Sequence, residues 1–230
     1  MQNLCRETIA YAASIVKPGM TLPQLCALCD AYMLQHGAES FWYWGIGTFA
    51  FHGERTAISV SARDFVQDDT PIAENDIITL DLCPQRDQIW GDFARTLVLE
   101  NGKVTSDGTA ETGHDAIQND EWYDGLQTED LLHESMMQFV TPDTTFEELA
   151  AYGNALIHQL GYLNLDFKGN LGHSIEKESS ARIYIEPGNQ RKLSEVTAFT
   201  FEPHIALPGS LYGFKKENIY SFVDGKLVEL

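Results

Sequence analysis

Val16-Lys-Pro-Gly-Met-Thr-Leu-Pro-Gln-Leu-Cys-Ala-Leu-Cys-Asp-Ala-Tyr-Met-Leu-Gln-His-Gly37 recurs without a gap as Val140-Thr-Pro-Asp-Thr-Thr-Phe-Glu-Glu-Leu-Ala-Ala-Tyr-Gly-Asn-Ala-Leu-Ile-His-Gln-Leu-Gly161. Eight positions are identical: Val16/Val140, Pro18/Pro142, Thr21/Thr145, Leu25/Leu149, Ala27/Ala151, Ala31/Ala155, Gln35/Gln159 and Gly37/Gly161. Two unrelated helices sharing a proline start and a glycine stop would explain Pro18 and Gly37 and none of the others. Self-similarity at a fixed offset marks a duplicated structural unit. The remainder of the chain agrees. Helical periodicity over 3–16 and 22–36 is broken at Lys17-Pro18-Gly19 and ends at Gly37, the positions at which Pro and Gly punctuate helices. A β-rich stretch runs from about residue 41 to 99, with apolar segments at 57–60, 77–82 and 93–99. Residues 100–118, rich in Gly, Asp and Thr, read as a long solvated loop. Helices resume near 120–139 and 145–160, and a second β-rich stretch extends from about residue 183 to the C-terminus. The expected class is α+β: one domain over 1–230, with pseudo-symmetric halves at about 1–100 and 120–230. A site is expected where the strands of the two halves converge.

Composition narrows the partners. The 230 residues carry 15 Lys and Arg against 34 Asp and Glu, a formal net charge of −19. Such a surface repels phosphate backbones and anionic lipid headgroups, which excludes nucleic acid and membrane as expected partners. No stretch approaches the roughly 18 uncharged apolar residues of a spanning helix, and Met1-Gln-Asn-Leu-Cys-Arg-Glu does not read as a signal peptide. A cytoplasmic protein is expected, with room for a homodimer. Cys5, Cys26, Cys29 and Cys83 are too few and scattered for a disulfide framework. Cys26-Ala-Leu-Cys29 has the spacing of a metal knuckle, but it lies in a helical apolar pattern with no second pair, so it reads as core.

The chemical signal is acids inside apolar strands. Asp81 interrupts Ile77-Ile78-Thr79-Leu80-Asp81-Leu82, and Asp92 opens Asp92-Phe93-Ala94-Arg95-Thr96-Leu97-Val98-Leu99. With a two-residue hairpin turn at Arg86-Asp87, Asp81 falls directly opposite Asp92, both on one face. Two buried carboxylates about 5 Å apart repel each other and each costs several kcal/mol of desolvation. Either one of them holds a proton or a cation binds both. Glu202 in Phe199-Thr200-Phe201-Glu202-Pro203 and Glu217 before Asn218-Ile219-Tyr220 repeat the anomaly, and His173 follows the glycine turn Gly169-Asn170-Leu171-Gly172. Four acids and one imidazole form a hard ligand set suited to Mn, Fe, Co or Zn. One divalent ion would leave two negative charges buried, whereas two ions neutralise four carboxylates. Five protein ligands are too few to close two shells, so a bridging water or hydroxide is expected, the arrangement of two-metal hydrolytic sites.

At these residues the chain resembles the pita-bread (M24-type) metallopeptidase family, which holds methionine aminopeptidases, Xaa-Pro aminopeptidases, prolidases and creatinase. The resembling elements are Asn75-Asp76-Ile77-Ile78-Thr79-Leu80-Asp81, Gly91-Asp92, Gly172-His173-Ser174-Ile175, Phe199-Thr200-Phe201-Glu202-Pro203 and Glu217-Asn218, together with the opening helices. The resemblance spans essentially the whole chain and implies a pita-bread fold around a curved antiparallel sheet, without the N-terminal domain of prolidases and creatinase. It implies that Asp81 chelates one ion, His173 and Glu202 the other, and that Asp92 and Glu217 bridge them. Glu202 would also handle the proton of an attacking water, and the substrate would be a short peptide or small amide.

The family also carries two auxiliary histidines that help bind and polarise the substrate. Here Arg63 and Asp64 stand at the place of one and Ser180 at the other. Oxyanion donors are worth about 3–4 kcal/mol each, so His204, two residues from Glu202, and His52 become candidate catalytic replacements. If neither serves, the same site suits non-peptidase chemistry: creatinase-like C–N hydrolysis, a lyase reaction or iron-dependent oxidation. Trp42 and Trp44, from Phe41-Trp42-Tyr43-Trp44-Gly45, are candidate pocket walls. Arg182 and Arg55 are candidate binders of a substrate carboxylate, and Ser180 is a further candidate contact.

Overall fold

The repeated segments build the same local structure for the same reason. α2 (Leu22–Gln35) starts at Thr21, whose backbone N–H donates to Gln24 Oε1 at 3.1 Å. α4 (Phe146–Gln159) starts at Thr145, whose N–H donates to Glu148 Oε2 at 2.8 Å while its hydroxyl accepts from the Glu148 N–H. Both are capping boxes, which satisfy N-terminal amides that have no partner within the helix. Gly37 and Gly161, at φ +119° and +87°, take the left-handed conformation that terminates each helix. Leu25 and Leu149 are both fully buried. The preceding helices, α1 (Gln2–Ile15) and α3 (Asp120–Phe139), complete two helix pairs.

The computed structural model describes residues 1–61, 63–109 and 113–230, with only the backbone of His114. Strands of the first half are β1 (Ser40–Phe41), β2 (Thr48–His52), β3 (Asp76–Leu82), β4 (Pro84–Arg86), β5 (Ile89–Trp90), β6 (Phe93–Glu100) and β7 (Lys103–Ser106). The second half contributes β8 (Leu163–Asn164), β9 (Phe199–Phe201), β10 (His204–Ala206), β11 (Phe214–Lys215), β12 (Asn218–Val223) and β13 (Lys226–Glu229). The antiparallel order β2-β3-β6-β7 forms the larger sheet, and β13-β12-β9 and β11-β10-β8 the smaller ones. A bridge between Ala94 and Glu217 joins β6 to the chain entering β12, so sheets of the two halves meet there. Ile78, Leu80 and Leu82 on one face of β3, with Phe93, Leu97 and Leu99 of β6, share a core with α1 and α2. Ile77 and Val98, on the other face, join the core under α3 and α4.

Three expectations need correction. The β4–β5 hairpin turns at Asp87-Gln88, both at positive φ (+51° and +61°), and not at Arg86-Asp87. Two consecutive left-handed residues make a two-residue turn whose twist matches its strands. Asp81 therefore pairs with Ala94 and not with Asp92, yet a turn moved by one residue moves the pairing by two and keeps both acids on one face. The apolar segment 57–60 is not a strand: Ala57 ends a 3-10 turn (Gly53–Ala57) and 58–60 is irregular. Residues 103–106 of the expected 100–118 loop form β7, paired to β6, and 114–116 a 3-10 turn; 110–112 lie outside the described residues, as does Ala62. No helix among the described residues is long and apolar enough to cross a membrane.

His52, at the end of β2, is buried against Asp76, whose Oδ2 lies 2.9 Å from its Nδ1. That hydrogen bond raises the His52 pKa above its ordinary value in spite of burial. The pair's stabilisation is complete below the unfolded pKa of about 6.5 and fades as pH rises through the folded value. His52→Gln should therefore lower stability more at pH 5.5 than at pH 8.5, measured by chemical denaturation at both; an equal loss would show that the pair does not titrate.

Candidate metal centre

Period-two alternation along four strands builds the site. Residues directly paired across a sheet project to the same face. Asp81 of β3 pairs with Ala94 of β6, which bridges to Glu217. His204 pairs with Lys215 and Phe201 with Asn218 in one common register, which puts Glu202 opposite Glu217. One row across both halves thus reads Asp81, Ala94, Glu217, Glu202. Asp92, two residues before Ala94, and Lys215, two before Glu217, point the same way. His173 enters from the neighbouring segment: the Thr200 N–H donates to its carbonyl at 2.7 Å, and its own N–H donates to Thr200 Oγ1 at 3.0 Å. Gly172 permits this approach, since at φ +135° a Cβ there would meet Thr200 O at 2.5 Å. Asp92 is held by its backbone: the Gln2 amide of α1 exchanges hydrogen bonds with its N–H and C=O, both at 3.0 Å.

Asp81, Asp92, His173, Glu202 and Lys215 line a cavity of about 820 Å³, and Glu217 lies buried beside Asp92 and His173 outside that lining. His173 Nδ1 donates to Ser174 O at 3.0 Å, which leaves Nε2 as a lone pair. Burial, followed by Arg182, pushes the His173 pKa down to about 3, so the ring is neutral. Its Nε2 faces Asp92 Oδ2 at 3.4 Å and Glu202 Oε1 at 3.9 Å. Asp92 Oδ2 and both Glu217 carboxylate oxygens are buried without a hydrogen-bond donor. Burial first, and the surrounding carboxylates second, hold the pKa values of Asp92 and Glu217 well above the usual range. One ligand atom each from Asp92, His173 and Glu217 lies within 4.8 Å of the others. Three acceptors aimed at one another, with only Arg182 Nη1 touching Nε2 at 3.4 Å, are a seat for a cation. A divalent ion of the hard to borderline class fits these residues.

The opposite side of the cluster is already charged. Lys215 Nζ lies 2.6 Å from Asp81 Oδ2, 3.2 Å from Glu202 Oε2 and 4.0 Å from Glu217 Oε2. Burial pushes the Glu202 pKa up to about 7 against the pull of Lys215. Cys83, two residues beyond Asp81, is buried with Sγ 3.7 Å from Asp81 Oδ1 and can also reach a metal shared with Asp81 and Asp92.

The five expected ligands, Asp81, Asp92, His173, Glu202 and Glu217, are thus brought together. The expected substrate contacts divide. Trp42 and Arg182 line the cavity, the guanidinium carbon sitting 4.8 Å from the Trp42 ring centroid. His204 lines it as well, buried, with Nε2 donating to Thr56 O at 2.6 Å and a pKa pushed by burial down to about 4. His52 is not in the cavity wall, because Asp76 holds it on the far side of β2. Trp44 is 62% exposed: its positive φ turns the ring out, where Arg63 stacks on it at 4.4 Å. Ser180 is exposed outside the cavity, in a 3-10 turn (Ser179–Ala181). Arg55 sits over Phe51 and pairs with Asp68, away from the acids. Lys215, Cys83 and Gln2 were missed. For the first two the alternation was the available signal, since each stands two residues from a recognised acid; Gln2 offered none.

Comparison with known proteins accords with this geometry. The chain matches the model of metallopeptidase family M24 over residues 1–223. Its fold is similar to that of an X-Pro aminopeptidase from Thermotoga maritima MSB8, with TM-score 0.77 and 19% identity over 99% of this chain and 58% of that one. Prolidase from Pyrococcus furiosus gives 0.73 and 19%, over 99% and 60%. A methionine aminopeptidase from Rickettsia prowazekii gives 0.71 and 16%, over 98% and 92%. The chain therefore spans about three fifths of the first two neighbours, and at these identities the likeness is one of fold. No curated protein sequence matches it. With the family model covering nearly its full length and the pita-bread arrangement of two α+β halves present, the chain belongs to metallopeptidase family M24.

Proposed function

We propose that the chain is a metal-dependent hydrolase that cleaves an amide bond in a short peptide bound in the 820 Å³ cavity. One observation carries the reading: Asp92 Oδ2 and both Glu217 oxygens are buried without a hydrogen-bond donor, close to the His173 Nε2 lone pair. Desolvated carboxylates without a counter-charge are strongly unfavourable, and folding tolerates them where a ligand repays the cost. A divalent ion bound there supplies Lewis-acid polarisation of the scissile carbonyl and lowers the pKa of water. A second ion, expected from charge counting and from the resemblance, would have to compete with Lys215 for Asp81.

The chain's own groups do the remainder. With its pKa near 7, Glu202 is matched to take a proton from an attacking water at neutral pH and return it to the leaving amine. Trp42, Tyr43, Phe49 and Phe51 give the cavity apolar walls, which suit the side chains of a di- or tripeptide and exclude water. Arg182, held among Trp42, Tyr43 and Tyr184, would bind the substrate's terminal carboxylate. The solved neighbours are titled X-Pro aminopeptidase and prolidase, so peptides with proline in the second position are the first substrates to try. One feature favours a second reading, non-peptide C–N chemistry at the same site. By sequence spacing, Arg63 and Asp64 fall at the place of one of the family's auxiliary histidines and Ser180 at the other, and the His204 Nε2–H is spent on Thr56 O. Turnover of X-Pro peptides by the metal-loaded protein settles for the peptidase; turnover of ureas or guanidines alone settles for the other.

Asp92→Asn should abolish the rise in Tm that Mn²⁺ gives the chelator-treated protein. Without metal the variant should be at least as stable as wild type, since one buried repulsion is gone. A retained Mn²⁺ shift on thermal unfolding would remove Asp92 from the metal site. Arg182→Met should raise KM for free-acid peptides about tenfold, roughly 1.4 kcal/mol, and leave C-terminally amidated peptides within about twofold. An equal effect on both would show that Arg182 does not read the carboxylate.

A further inference from the structure

The carboxylate oxygens of the cluster fall into two sets. Asp81 Oδ2 and Glu202 Oε2 are held by the Lys215 ammonium at 2.6 and 3.2 Å. Asp92 Oδ2 and the two Glu217 oxygens have no hydrogen-bond donor, the Lys215 ammonium standing farther off, 4.0 Å from Glu217 Oε2. We infer that Lys215 is the resident second cation of this site, so that the protein works with one divalent ion, seated on Asp92, His173 and Glu217, beside a tethered ammonium seated on Asp81 and Glu202. The inference rests on the metal-dependent reading above and deepens it.

Three observations converge. Lys215 is not a surface side chain that has strayed inward. Its backbone is fixed: the Lys215 N–H donates to Thr96 Oγ1 at 2.9 Å, and that hydroxyl donates back to the Lys215 carbonyl at 3.1 Å. Pairing with His204 fixes it on the ligand face, two residues from Glu217. Sterics come second. A metal binds carboxylate oxygen at about 2.0–2.2 Å, so an ion shared by Asp81, Cys83 and Asp92 would have to take Asp81 through Oδ1 alone, because Nζ stands 2.6 Å from Oδ2. Charge comes third. Four carboxylates carry −4, and one divalent ion with Lys215 and the adjacent Arg182 supplies +4. Two ions with the same two side chains would leave a buried surplus of +2, which the burial cost of charge disfavours.

The test is stoichiometry. Chelator-stripped protein is titrated with Mn²⁺ by calorimetry and, separately, with Co²⁺ followed by elemental analysis after gel filtration. Mn²⁺ electron paramagnetic resonance distinguishes an isolated ion, with six resolved lines, from a coupled pair. Wild type is expected to bind one ion per chain with the isolated-ion spectrum. Lys215→Met should bind two, the second appearing with spin coupling, and Lys215→Arg, which keeps the positive charge, should stay at one. Two ions in wild type overturn the inference while leaving the metal reading intact, a result that needs no variant. One ion in folded Lys215→Met also overturns it, because Lys215 would then not be what excludes the second. No ion in wild type overturns the metal reading and this inference together.

Discussion

Four carboxylates share a small volume at the seam between two half-sheets, and like charges out of water do not stay together unaided. Asp92 and Glu217 are 3% and 1% exposed, so solvent cannot screen them, and the effective dielectric around them magnifies each repulsion. Much of the surrounding architecture can be understood as what keeps this arrangement from flying apart. Arg95, buried beneath the seam, donates to Ala94 O, Glu217 O and Asn218 Oδ1 at 2.7–2.8 Å. It clips together the two strands that carry the acids, and although burial pushes its pKa down to about 10 it remains charged at neutral pH. Lys215 and Arg182 supply further positive charge from the cavity side. A divalent ion, under the proposed function, would complete the set.

The ligand positions are inherited from backbone register more than from side-chain choice. Asp81, Glu217 and Glu202 lie in one row because β3 pairs with β6 and β12 with β9, and the single bridge from Ala94 to Glu217 joins the two pairs. His173 is fixed through Thr200, and Asp92 through Gln2. Side chains projecting from paired strands need little reorganisation, which is how a rigid scaffold presents a preorganised site. The loops that make the cavity walls are irregular by comparison, and the differences of substrate among proteins of one fold reside in such segments.

Acids within apolar strands could be recognised in the sequence because each breaks a pattern that burial otherwise enforces, and the repeat could be recognised because capping chemistry demands Thr at both helix starts and Gly at both ends. Lys215 escaped notice for the complementary reason: in Lys215-Lys216-Glu217 it reads as part of a solvated charged run, and only the register shows that it shares a face with the acids while Lys216 turns away to Asp130. His52 was misassigned because Asp76, its partner, looks like an ordinary polar strand start. An aromatic run gives no sign of which ring faces in, and the backbone turn at Trp44-Gly45 decides it. Ser180 falls at a spacing taken from the family, and spacing alone does not show that its 3-10 turn lies exposed outside the cavity.

Ala94 stands in the middle of the ligand row, between Asp81 and Glu217, fully buried and carrying only a methyl group. Its smallness is itself a functional property. A valine or leucine there would suit β6 equally well by strand propensity, but would thrust carbon into the gap across which the flanking carboxylates face each other. The room that an ion would need is therefore left by atoms missing from one apolar residue, and a substitution that alters no charge and no hydrogen bond would close it.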